Sequence, residues 1–246
     1  MNGSGTYNLA RPQRWGFWMT CVWFGAYLLA TQGFLTVATL MGYAHWQGLP
    51  MNINGAREMM GSTEALIQVA LVVNLLSLPL IILMVKSKRG SVWRDYMAWR
   101  PVGVARVVLW VIICLLSVFA MGILHQILGW RDSGFMNELP QMQSRFWMIL
   151  SVVVAAPIFE EMVFRGFVYG GFERSLGAFP AVLLSSLLFT ALHVQYNWYE
   201  LAQIFVLGMV LGWARMRTQS LLTPIVMHAV NNALATAMVF LAQQSM

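Results

Sequence analysis

Seven stretches of this chain are apolar and long enough to be read as membrane spans: about 15–43, 65–85, 104–129, 145–172, 180–197, 199–216 and 221–243. A transmembrane helix needs about 20 mostly apolar residues. In hydrocarbon every backbone N–H and C=O must be satisfied within the chain, so such segments become helices. The supply of charge agrees. Only 10% of the residues are charged and 59% are hydrophobic, whereas a soluble domain carries roughly a quarter charged residues. The expected fold class is all-α: a polytopic transmembrane helix bundle of about seven spans. It reads as a single integral membrane domain over 1–246, with no internal repeat and no low-complexity tract. The fifth and sixth spans are the shortest, joined by the tight stretch 195–199.

The basic residues set an orientation. Arg11 and Arg14, then Lys86, Lys88, Arg89, Arg94, Arg100 and Arg106, then Arg174, Arg215 and Arg217 all fall on one side of a seven-span topology. Arg57, Arg131 and Arg145 fall on the other, and Arg165 lies within a span. Eleven against three puts the N-terminus in the cytoplasm by the positive-inside bias. The same bias accounts for the net charge of +6. No basic patch interleaved with aromatics lies outside the spans, which argues against nucleic acid as a partner.

Smaller features fit. Cys21 and Cys114 lie in apolar runs, without CxxC spacing or a disulfide framework. The run after Arg14 is too long for a signal-peptide core, so it reads as an uncleaved first span. Trp15, Trp46, Trp93, Trp99, Trp130, Trp147, Trp198 and Trp213 mark span ends. Residues 44–64 form the main outer loop, and Val92–Arg100 reads as a short helix lying on the cytoplasmic surface.

Against this apolar background, Glu160, Glu161 and Arg165 stand inside one span. Charges in hydrocarbon are costly and mark functional sites by default. Glu161 and Arg165 are four apart, share a helix face and can pair. Glu160 is rotated by about 100° from its neighbour, so no partner on its own helix faces it. A buried carboxyl group without an ionic mate resists ionisation, which suits a general acid or base. Other polar groups follow in the later spans. His193 ends the fifth, and the seventh carries His228, Asn231 and Asn232, with His228 and Asn232 four apart.

Three patterns emerge in order: Glu-Glu-x-x-x-Arg over 160–165, Phe-x-x-x-His over 189–193 and His-x-x-x-Asn over 228–232. Together they resemble the motifs of the CPBP family, the CAAX-protease and bacteriocin-processing (Abi) intramembrane proteases, which are similar to CAAX prenyl protease 2. The resemblance covers about 145–240, a catalytic core in the last four spans. Asp95–Arg100 faintly resembles the family's pre-core segment. The family implies an intramembrane endopeptidase that hydrolyses a peptide bond near the C-terminus of a membrane-associated protein or peptide. On this chain Glu160, helped by His193, would activate water. His228 and Asn232 would polarise the carbonyl and stabilise the oxyanion. Glu161 and Arg165 would form the supporting pair. The substrate would be a protein or peptide, with a prenylated tail, a peptide pheromone, a bacteriocin or a C-terminal sorting tail as alternatives. The location would be a prokaryotic inner membrane.

A metal is the open point. The family is often labelled a metalloprotease, and Glu160, His193 and His228 would supply three zinc ligands and an open position. The chain has no His-Glu-x-x-His helix, and the metal-free glutamate reading is favoured. Plainer readings stand beside these. The Glu161–Arg165 pair could pin helices, and His228 with Asn231 and Asn232 could be interhelical glue. The same pocket could serve a non-proteolytic immunity or scaffold protein that binds a peptide. Buried carboxylates and histidines also suit a proton-linked carrier, though no inverted repeat supports it. Gly166, Gly170 and Gly171 are read as sites of close helix packing.

Overall fold

The structure, a computed structural model, describes residues 13–130 and 144–244. Arg11 and Arg131 of the charge census lie outside them. The described residues form nine helices: α1 Phe17–Trp46, α2 Ile53–Met59, α3 Thr63–Lys86, α4 Trp93–Tyr96, α5 Val104–Ile127, α6 Arg145–Leu176, α7 Ala178–Ala191, α8 Trp198–Thr218 and α9 Leu222–Gln244. No strand occurs among the described residues. Each of the seven expected spans contains a helix. Five of these, α1, α3, α5, α6 and α9, are long and apolar enough to cross a membrane. The protein is a polytopic helical membrane bundle.

The fifth and sixth segments differ from the expected spans for physical reasons. Helix α7 has 14 residues, about 21 Å at 1.5 Å per residue, against a hydrocarbon core of about 30 Å. It ends at Ala191 because Asn197 and Glu200 form a reciprocal capping box that starts α8 afresh. His193 therefore sits in the turn between the two helices. Helix α8 is 21 residues long but carries Glu200, Arg215 and Arg217, which lower its apolarity.

The basic segments meet at one end. Arg14 ion-pairs with Glu173, and its Nε donates to the Tyr96 carbonyl at 3.1 Å. Arg174 donates to the Arg14 carbonyl. The Leu221 N–H donates to the Ala98 carbonyl at 2.9 Å, and Ser220 Oγ to the Arg100 carbonyl. The N-terminal tail, the 86–106 segment and the connections after α6 and α8 thus share a face. One member of the census is misplaced by the sequence reading: Arg215 is wholly buried within α8.

The 92–100 segment also departs from expectation. It makes one helical turn, and then Tyr96, Met97 and Ala98 plunge into the core, each nearly or wholly buried. Burial raises the Tyr96 phenol above its ordinary pKa, so the ring enters as a neutral group. The glycines of α6 make room for it. A Cβ on Gly166 would stand 3.2 Å from Met97 Cγ, and one on Gly170 would stand 3.2 Å from Tyr96 Cε1. A Cβ on Gly171 would fall 1.9 Å from Thr20 Oγ1 of α1. Helix α6 is thereby the hub of the main core, in which Phe24, Met84, Phe159, Phe164, Phe167 and Phe189 are all buried.

Candidate active site

Helix α6 is not uniform. It widens into π turns at Leu150–Ala155 and Met162–Val168, with Ala156–Glu161 between them. Pro157 follows the first π turn; it donates no N–H, and its ring crowds the carbonyl four residues back. In the first π turn the Ala156 N–H reaches back to the Ser151 carbonyl, and in the second the Tyr169 N–H reaches Phe164. Each reach is one residue longer than in an α-helix. The carbonyls of Val152 and Arg165 lose those partners. Side chains from later helices take them: Asn232 Nδ2 donates to Val152 O at 2.9 Å, and Arg215 Nε donates to Arg165 O at 3.2 Å.

The two glutamates lie between these turns. Glu161 and Arg165 are both fully buried, with Arg165 Nη1 3.0 Å from Glu161 Oε1. The other terminal guanidinium nitrogen, Nη2, donates to the Gly208 carbonyl of α8 at 2.9 Å. That approach is possible because Gly208 has no side chain; a Cβ there would stand 3.3 Å from Arg165 Nη2. His228 of α9 completes the group. Its Nδ1 is 2.9 Å from Glu161 Oε1 and its Nε2 is 3.6 Å from Glu160 Oε2. The His228 side chain is 4% exposed and that of Glu160 is 22% exposed. Glu160 is the most exposed member of the group.

His193 joins through a ring. Phe189 lies with its centroid 4.6 Å from that of His193 and 5.9 Å from that of His228, and the Arg165 guanidinium stands 4.5 Å above its face. The His193 Nδ1 is 2.7 Å from the Phe189 carbonyl, which fixes the ring and leaves Nε2 free of that bond. The Tyr196 ring stacks on it at 6.2 Å. Asn232 holds α6 through Val152 and accepts from Asn231 Nδ2 at 3.3 Å.

The sequence reading thus finds Glu160, Glu161, Arg165 and His228 in one cluster, His193 beside it across Phe189, and Asn232 one turn away on the same helix pair. Among the described residues no three His, Cys, Asp or Glu side chains are grouped to hold a metal ion. In His228 and His193 alike it is Nδ1 that is engaged, by Glu161 and by the Phe189 carbonyl, and Nε2 that is left on the other side of the ring.

Four residues have parts that the sequence does not show. Phe189 was visible only as a motif position, not as the ring that joins Arg165, His193 and His228. Gly208 and Gly212 form a small-xxx-small pair, the pattern of close helix approach in membranes. Arg215 was counted as a loop charge, although Arg215 and Arg217 are two apart and cannot share a helix face.

Residues 142–234 match the family model described as type II CAAX prenyl endopeptidase Rce1-like. This segment is similar to that family. The match spans the motif residues from Glu160 to Asn232. Two curated proteins resemble parts of the chain. An "Uncharacterized 24.3 kDa protein" of Escherichia coli is 38% identical over 87 residues, which cover 32% of this chain and 38% of the relative. The "UPF0177 protein YxdF" of Lactococcus lactis is 27% identical over 100 residues, covering 41% of this chain and 52% of the relative. The chain therefore spans about half, or less, of the length of the curated relatives it matches. No solved structure matches it.

Proposed function

We propose that this protein is an intramembrane endopeptidase that cuts a membrane-associated protein or peptide near its C-terminus, using water activated by Glu160 without a metal. The observation that carries the reading is the His228 imidazole held between two carboxyl groups, one buried and paired with Arg165, the other partly exposed. Arg165 pairs with Glu161, and Glu161 in turn faces His228 Nδ1 and so orients the imidazole. An imidazolium in that place presents Nε2–H toward Glu160 and any oxyanion forming beside it.

The step follows from that geometry. Water bound to Glu160 loses a proton to the carboxylate as its oxygen attacks the scissile carbonyl. The developing oxyanion is met by a donor already in place, so little reorganisation accompanies the charge. Glu160 then returns the proton to the leaving amine. His193, fixed by the Phe189 carbonyl and flanked by Tyr196, helps to hold the water. Substrates fall in the class of lipid-delivered tails, prenylated or sorting-type, and the setting is a prokaryotic inner membrane with the basic end in the cytoplasm.

The test is mass spectrometry of C-terminal fragments from cells carrying wild-type protein or Glu160→Ala, at matched membrane abundance. A set of fragments should disappear in the variant. An unchanged fragment pool would end the hydrolase reading and leave a peptide-binding membrane protein in its place.

A further inference from the structure

We infer that Arg215 is a positioning residue for the hydrolysis, acting through the backbone of the second π turn of α6 rather than through the substrate; this rests on the proteolytic reading above. Arg215 is completely buried, yet its Nη1 and Nη2 have no hydrogen-bond partner among the described residues. Its one hydrogen bond goes from Nε to the Arg165 carbonyl at 3.2 Å. The guanidinium also lies over the Tyr169 ring, 5.0 Å from its centroid. A buried cation satisfied at a single nitrogen adds little to stability, because desolvation offsets what it gains. What it does hold is local: both contacts fall on the turn Met162–Val168 or the residue after it.

That turn sets the relation between the carboxylates and their cation. Arg165 is inside it and Glu161 immediately precedes it. The Tyr169 N–H has gone to Phe164 O, so the Arg165 carbonyl needs a donor in a dry interior, and Arg215 supplies it. Without that donor, the turn satisfies the carbonyl by reverting to the ordinary four-residue spacing. Arg165 then rotates relative to Glu161, and the shift passes along Glu161 to His228 and so to Glu160. The bond from Arg165 Nη2 to Gly208 O runs the opposite way between the same two helices. Helices α6 and α8 are thus joined reciprocally at Arg165. Asn232 performs the matching task at the first π turn, so the glutamates are bracketed by two side-chain supports. A displacement of about 1 Å at a catalytic group can cost on the order of a hundredfold in rate.

The test compares wild type, Glu160→Ala, Arg215→Met and Arg215→Lys, all full-length. It reads the Glu160-dependent C-terminal fragments in cells and, on purified protein in detergent, Tm and amide hydrogen exchange. Arg215→Met should keep a Tm close to wild type, exchange faster over 162–170 alone, and lose most of the fragments. Arg215→Lys, whose ammonium can still donate to the Arg165 carbonyl, should recover both exchange protection and fragments. Wild-type fragment yield in Arg215→Met, with none in Glu160→Ala, overturns the positioning role while sparing the hydrolase. Fragments that persist in Glu160→Ala remove the hydrolase reading and the positioning role of Arg215 with it. Exchange over 162–170 that is unchanged in Arg215→Met overturns its hold on the turn, whatever the fragments show.

Discussion

His228 Nδ1 lies 2.9 Å from Oε1 of Glu161, the same oxygen that receives Arg165 Nη1 at 3.0 Å. One buried oxygen therefore anchors a cation from its own helix and an imidazole from α9. Removing Glu161 strands Arg165 in a dry interior, and breaking a buried pair from one side costs about 3–5 kcal/mol. Glu161→Ala should lower Tm markedly in detergent and abolish cleavage. Replacing both members, as Glu161→Leu with Arg165→Met, should recover most of the Tm but no activity. Glu160 is partly exposed and outside the Arg165 pair, so Glu160→Gln should stop cleavage with little change in Tm. A Glu161→Ala protein that unfolds at the wild-type temperature would show that the pair bears no structural load.

Asn232 donates to a carbonyl that the first π turn leaves open. Asn232→Leu leaves the Val152 carbonyl unsatisfied, at a cost of roughly 1–3 kcal/mol. Amide exchange should quicken over 150–156 and cleavage should fall. Among the described residues Asn231→Ala removes a single hydrogen bond, to the neighbouring Asn232 side chain, so its Tm should stay near wild type. Equal effects of the two substitutions would contradict the assignment of the support to Asn232.

Hydropathy was enough to locate the long helices, since backbone polar groups in lipid leave no other choice. The cluster of Glu160, Glu161, Arg165 and His228 was legible too, because charge and imidazole stand out in apolar runs. What could not be read was the widening of α6. A π turn has no composition of its own; it is a choice among hydrogen-bond spacings that distant donors such as Arg215 and Asn232 decide. The same limit explains the 92–100 segment. Its mixture of tryptophans and charges matches an interfacial helix, and only the glycines of α6 show that Tyr96 and Met97 can enter the core. His193 kept its neighbourhood but not its helix, because the Asn197–Glu200 box restarts the chain after it.

Small residues mark where helices approach most closely, and those contacts have little slack. A Cβ on Gly212 would stand 2.9 Å from Val182 Cγ1, which prises α8 from α7. Overpacking of this kind costs typically about 1–3 kcal/mol. Gly212→Ala should lower Tm and, by moving Phe189 and Arg165 apart, reduce cleavage as well. Gly171→Ala meets Thr20 at 1.9 Å and should be the more severe. Thr20→Ala in the same chain should give partial relief, since it removes Oγ1 but leaves its Cβ. An undiminished Tm for Gly171→Ala would show that α1 and α6 can separate freely.

The metal-free reading makes its own prediction. Glu160 is the base only if no ion occupies the space between it and the imidazoles, and His228 is already turned toward Glu161 by Nδ1. Prolonged dialysis of the purified protein against a chelator should leave cleavage unchanged. Activity that is lost on dialysis and returns with zinc would reverse this assignment and make the Nε2 atoms of His193 and His228 ligands.

Sidedness can be tested at residues that the fold separates. Ser87 and Gln219 are exposed at the end where Arg14, Tyr96, Arg100 and Glu173 converge. Gln47 is exposed at the far end of α1, a helix of 30 residues. In a background of Cys21→Ala and Cys114→Ala, single cysteines at these three positions report on either face. With the basic end in the cytoplasm, an impermeant maleimide added to intact cells should label the cysteine at 47 and spare those at 87 and 219. Lysis should expose the latter two. The reverse pattern would turn the molecule over, placing the Arg14 end outside and leaving the positive-inside bias without force in this chain.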